Sequence, residues 1–80
     1  MQDNKKSVHT VWRDPEWRNV VDGVERAHST HPNQEAAIAH GRRLAQALDA
    51  EHVIHAMDDS IRERIRYGAE SAARESRGAD

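Results

Sequence analysis

No cysteine occurs in these 80 residues, which excludes a disulfide framework, a thiolate metal centre and a cysteine nucleophile together. Phenylalanine is also missing, and two Trp and one Tyr make up the whole aromatic content. Bulk for a core is therefore scarce. Nowhere do about 18 apolar residues run together, the length a membrane-crossing helix needs. The polar start, Met1 to Lys6, lacks the apolar stretch of a secretory leader. Neither sign of charge dominates: 12 Lys and Arg stand against 14 Asp and Glu, for a net charge of −2. No whole-molecule field draws such a chain to nucleic acid or to anionic lipid. Together these absences point to a cytoplasmic address, with no disulfides needed in a reducing interior.

What is present is enough for one small domain. Apolar residues are 36% of the chain and charged residues 32%, yet Val, Ile, Leu and the two Trp recur in clusters, the mark of a folded segment with polar ends. A chain of this length hides only about 60–65% of the surface its unfolded form exposes. The core is expected to be lean, so a partner or a second copy of the chain would help complete it.

Along the chain, residues 1–6 have nothing to bury and read as a disordered terminus, residues 7–68 as the single domain, and residues 69–80 as a flexible tail without large apolar side chains. Val8 to Trp12 is β-branched and aromatic, and Asp14-Pro15-Glu16 ends it as a tight turn. Trp17 to Val21 is a second strand. Asp22-Gly23 has the composition of a type I′ hairpin turn, which predicts a third strand over Val24 to His28. Asn33 stands where a helix N-cap belongs, with Glu35 in the first turn. Ala37, Ile38, Gly41, Leu44, Ala45 and Leu48 then form the stripe of an amphipathic helix from Gln34 to about Asp49. Its small inward residues imply close approach to a sheet. Val53, Ile54, Ala56 and Met57 make a fourth strand, Asp58-Asp59-Ser60 a turn, and Ile61 to Tyr67 a fifth strand with period-two alternation. The fold class is thus α+β: a β-β-β-α-β-β two-layer sandwich, its mainly antiparallel sheet covered on one face by a single helix.

Several of these pieces occur together in a known family. Trp17, Gly23-Val24-Glu25-Arg26-Ala27, Asn33-Gln34-Glu35-Ala36-Ala37-Ile38, Ile61-Arg62-Glu63-Arg64 and Tyr67-Gly68 follow one another without a gap. In this order the chain resembles the small bacterial family known as domain of unknown function 2188. The resemblance implies the same α+β fold and a cytoplasmic setting in a bacterium or phage, and no catalytic residue. Two departures stand out: Asn19 where the family usually has Val, and Asp58-Asp59 where it usually has Asp-Gly at the last hairpin.

The candidate sites follow from residue type and spacing. Six histidines (His9, His28, His31, His40, His52, His55) suggest a metal by composition, but His52 and His55 are three apart on a strand and face opposite sides. No metal site and no cofactor are expected. Neither a nucleophile motif nor a phosphate loop occurs, so no enzyme, no catalytic residue and no small-molecule ligand are expected. Asp58 and Asp59 read as turn residues that satisfy backbone N–H groups. Arg62, Arg64 and Arg66 fall on one side of the fifth strand about 7 Å apart, close to the spacing of successive phosphates, with Arg18 as an extension. Trp12 and Trp17 are the candidate aromatic anchors, for a partner or for stacking bases, with burial in the core as the plainer role. The leading expectation is a non-enzymatic interaction module that engages another protein or a second copy of itself. A nucleic-acid binder built on the arginines is the alternative.

Overall fold

The computed structural model describes residues 6–67; the expected tail over 69–80 and the start of the chain lie outside that range. Six elements follow one another: β1 (Ser7–Arg13), β2 (Glu16–Val21), β3 (Ser29–His31), α1 (Gln34–Leu48), β4 (Glu51–His55) and β5 (Ile61–Arg66). The order β-β-β-α-β-β is the expected one. The sheet runs β3-β2-β1-β4-β5. β1 and β4 pair in parallel, while every other neighbouring pair is antiparallel.

Register assigns the faces. Val8 lies opposite Val21, Thr10 opposite Asn19 and Trp12 opposite Trp17, and His52 and Ile54 stand beside Val8 and Thr10. This is the face α1 covers. A Cβ added at Gly41 would come within 2.6–2.9 Å of Asn19, His52 and Thr10, so only glycine lets the helix sit this close. Ala37, Gly41 and Ala45 form its buried line, one residue per turn. Around them the core comprises Val8, Val21, Ala45 and Ala50, with Leu44 and Tyr67 packed against it.

Both ends of α1 are built by local chemistry. The Asn33 side chain accepts a hydrogen bond from the Ala36 N–H at 2.8 Å, and Gln34 Nε2 donates to the His55 carbonyl, tying the helix start to the end of β4. At the other end Asp49 takes a left-handed conformation (φ 54°). There the Asp49 N–H reaches the Gln46 carbonyl and the Ala50 N–H the Ala45 carbonyl, a Schellman closure that turns the chain straight into β4.

Three expectations are corrected. The third strand is Ser29–His31, not Val24 to His28, because Val20 and Val21 remain paired with β1 and the chain must loop out before it returns to β2 at Asn19. The turn at Asp22-Gly23 is not type I′: Val24 N–H bonds the Val21 carbonyl, and Gly23 (φ 82°) has a positive φ while Asp22 does not, the pattern of a type II turn. β4 ends at His55, and Met57 lies in the following turn, 63% exposed.

Candidate functional site

β5 is the edge strand on one side of the sheet, with no strand beyond it among the described residues. Its pairing with β4 runs Glu51–Arg66, His52–Ile65, Val53–Arg64 and Ile54–Glu63, then slips at a bulge so that Ile61 meets His55. Ile65 and Glu63 therefore belong to the helix side, and Arg64 and Arg66 to the open side, as period two predicts. The helix packs on β1, β2, β3 and β4 and leaves β5 overhanging. As a result Ile65 is only half-buried, while Ile61, turned by the bulge to lie opposite His55 on the open side instead of beside Ile65, is 49% exposed.

The sequence-derived arginines are only partly brought together. Arg62 is the extra residue of the bulge, and it lines a cleft of about 220 Å³ on the helix side with Arg42, Glu63 and Ile65. It does not continue the line of Arg64 and Arg66. Arg64 is held by Glu51, 3.3 Å from both carboxylate oxygens. Arg18 pairs with Glu16 at 3.2 Å and stands three strands away from β5, across β1 and β4, roughly 14 Å at the usual strand spacing. The tryptophans do meet: Trp12 and Trp17 are directly opposite, ring centroids 5.4 Å apart. Trp17 is buried and Trp12 half-buried, so Trp17 belongs to the core.

Beneath the helix lies a feature that reading the sequence missed. Thr10 donates its hydroxyl proton to Asn19 Oδ1 at 2.6 Å, so its oxygen must accept from His52 Nε2–H at 2.8 Å. Asn19 Nδ2 in turn donates to the Ala37 carbonyl and to Ser29 Oγ. The Ser29 hydroxyl is then free to donate to His31 Nε2 at 3.0 Å. From His52 to Ser29 every donor points the same way. Thr10, Asn19 and His52 are wholly buried, and His52 Nδ1, left as a bare lone pair by this arrangement, has no partner. Burial, the Arg42 charge and His9, in that order, push the His52 pKa down to about 4, so the ring is neutral. The departure at Asn19 was the one visible signal of this chain.

The remaining histidines split between the two faces. On the open face Asp22, His9, His55 and Asp59 form a row: His9 Nε2 lies 3.0 Å from Asp22 Oδ1, the two rings meet at 3.1 Å, and His55 Nδ1 lies 3.1 Å from the Asp59 carbonyl. Acceptors stand at both ends, so the full set needs three ring protons on two rings. Arg13 approaches Asp59 at 3.6 Å at one end of this row. On the other side His31 and His28 flank His40, with centroids 5.1 and 5.6 Å away. Desolvation and these two neighbours, with Arg43, lower the His40 pKa. Among the described residues no group of three or more His, Asp or Glu is arranged to hold a metal ion. Asp58 accepts from the Ser60 hydroxyl and N–H, the backbone role its place in a turn predicts, and these bonds lower its pKa.

Among the described residues no helix is long and apolar enough to cross a membrane. Compared with known proteins, residues 8–67 match the model of a family described as an uncharacterized protein conserved in bacteria, domain of unknown function 2188. No curated protein and no solved structure matches the chain.

Proposed function

The chain belongs to the bacterial family of domain of unknown function 2188, and from that premise we propose that it is a non-enzymatic, cytoplasmic protein-interaction module whose β5 edge receives a strand from a protein partner, a second copy included. The observation that carries this reading is the overhang: a six-residue edge strand, outside the cover of the helix, with aliphatic side chains left in solvent. Edge strands expose unpaired backbone groups that template such addition. The opposite edge, β3, is only three residues long and offers little.

Arg64→Pro tests this directly. Pairing alternates along an antiparallel ladder. Since Tyr67 N–H bonds the Ala50 carbonyl of the β4 side, Ile65 and Glu63 also face β4 and the Arg64 N–H points outward. Proline there removes the outward donor together with the Arg64 guanidinium and its pair with Glu51, so Arg64→Ala, which keeps the N–H, is the control and is expected to retain association. Light scattering across a wide concentration range reports self-association, and retention of proteins from a bacterial lysate reports other partners. Association lost in Arg64→Pro fits the reading; equal association by both proteins would refute it.

Nucleic-acid binding through Arg62, Arg64 and Arg66 is the second reading. It has less support, because Glu51 already engages Arg64 and Arg62 leaves the line. Affinity for short oligonucleotides that falls steeply with salt would restore it.

A further inference from the structure

We propose that the cleft between α1 and β5 binds a free aliphatic α-amino acid of about the size of leucine. This goes beyond the edge-docking reading, does not depend on it, and departs from the expectation, drawn from the sequence alone, of no small-molecule ligand. The cleft exists because the helix stops short of β5. Ile38 and Arg42, one turn apart on α1, form its roof. Two cross-strand pairs, His52–Ile65 and Ile54–Glu63, form its floor, and Arg62 reaches it from the bulge. Its volume of about 220 Å³ lies below the roughly 300–1,000 Å³ of sites for drug-sized molecules, which limits the occupant to a small metabolite.

Each part of the cleft calls for a matching group. Ile38, Ile54 and Ile65 supply aliphatic surface. Arg42 comes from the helix and Arg62 from the sheet, a pair of guanidinium groups suited to one carboxylate through charge-assisted hydrogen bonds. Glu63 adds a negative charge and suits an ammonium. No ion pair engages Arg42, Arg62 or Glu63 among the described residues. The fourth polar group is His52, wholly buried, with a partnerless Nδ1. Its Nε2–H is committed to Thr10 on β1, so Nδ1 is an acceptor that only a donor can satisfy. An ammonium is such a donor, and it complements Glu63 as well. Carboxylate, ammonium and aliphatic side chain on one small molecule together describe an aliphatic α-amino acid.

The test titrates the full chain with leucine and follows its amide and imidazole nitrogens by NMR. Leucine is expected to bind with a Kd of about 1 mM or tighter. It should shift the amides of Ile38, Arg42 and Arg62 to Ile65, and move the His52 Nδ1 resonance upfield as that nitrogen accepts a hydrogen bond. N-acetylleucine lacks the ammonium, leucinamide the carboxylate and alanine most of the aliphatic side chain; each is expected to bind roughly tenfold more weakly. The same loss is expected of Arg62→Ala and of Glu63→Gln, both at exposed positions, whereas Arg64→Ala, on the open side, keeps full affinity. No shift at about 10 mM leucine, or shifts confined to residues outside the cleft, would overturn the proposal. N-acetylleucine bound as tightly as leucine would overturn the amino-acid assignment in favour of a plain aliphatic carboxylate.

Discussion

Gly41 shows how much one side chain decides here. Its missing Cβ leaves room for three polar atoms of Asn19, His52 and Thr10, each less than 3.0 Å from where a Cβ would stand. Those atoms belong to a hydrogen-bonded chain and have nowhere to retreat. Gly41→Ala gains up to about 1 kcal/mol of helix propensity, but forced overpacking costs about 1–3 kcal/mol. Urea denaturation is expected to show a net loss; a gain would mean that the helix lifts off the sheet without cost. Thr10→Val is the companion experiment. It strips His52 Nε2–H and Asn19 Oδ1 of a shared partner inside the core, and each buried group left unpaired costs about 1–3 kcal/mol. A loss below about 1 kcal/mol would show that the chain matters little to stability. In the sequence, Gly41 is visible only as one small residue in an apolar stripe, and the polar atoms it admits come from three different strands.

At the scale of elements, caps and turns obey local rules closely. Asn33 starts α1 where its side chain predicts, and the stripe Ala37, Gly41, Ala45 meets the sheet. The last hairpin shows the family's usual Asp-Gly replaced. Asp59 holds φ 75°, its N–H bonds the Ala56 carbonyl, and Ala56 N–H bonds the Ser60 carbonyl. A left-handed L-residue costs roughly 1–2 kcal/mol against glycine, less for Asp, which visits that region more readily. Asp59→Gly is expected to stabilise the domain by up to about 1 kcal/mol, less whatever the exposed contacts to Arg13 and His55 contribute. Asp59→Val should destabilise it, since a β-branched residue is poorly tolerated there. Thermal melts of the two variants that move in the same direction would contradict this. The shape of a loop is less legible. Asp22-Gly23 marks a turn correctly, but whether a strand resumes at once depends on where β2 pairs, and β1 holds Val20 and Val21.

For the whole molecule, the buried neutral His52 couples stability to pH. Its ordinary pKa is about 6.5, and the fold holds it near 4. A depressed folded value means that the unfolded chain takes up the proton first. Stability from this group is therefore complete above about pH 6.5, and falls as pH drops toward 4, by roughly 3 kcal/mol at about 1.4 kcal/mol per tenfold change. Denaturation midpoints between pH 7 and 4 are expected to show this decline, and the His52→Gln variant a shallower one; equal slopes would remove His52 as its cause. The sequence by itself determined the element order, the helix limits, the alternation of β5 from Glu63 to Arg66 and the family, because these depend on neighbours a few residues apart: caps, turn residues, and periods of two and 3.6. Only the tertiary structure decided that β1 and β4 lie side by side, that five polar residues join beneath the helix, that a bulge turns Arg62 away from Arg64, and that β5 stands beyond the helix as an edge. Pairing between strands over 40 residues apart is chosen by the packing of the whole sheet, and no local stretch of sequence carries that choice.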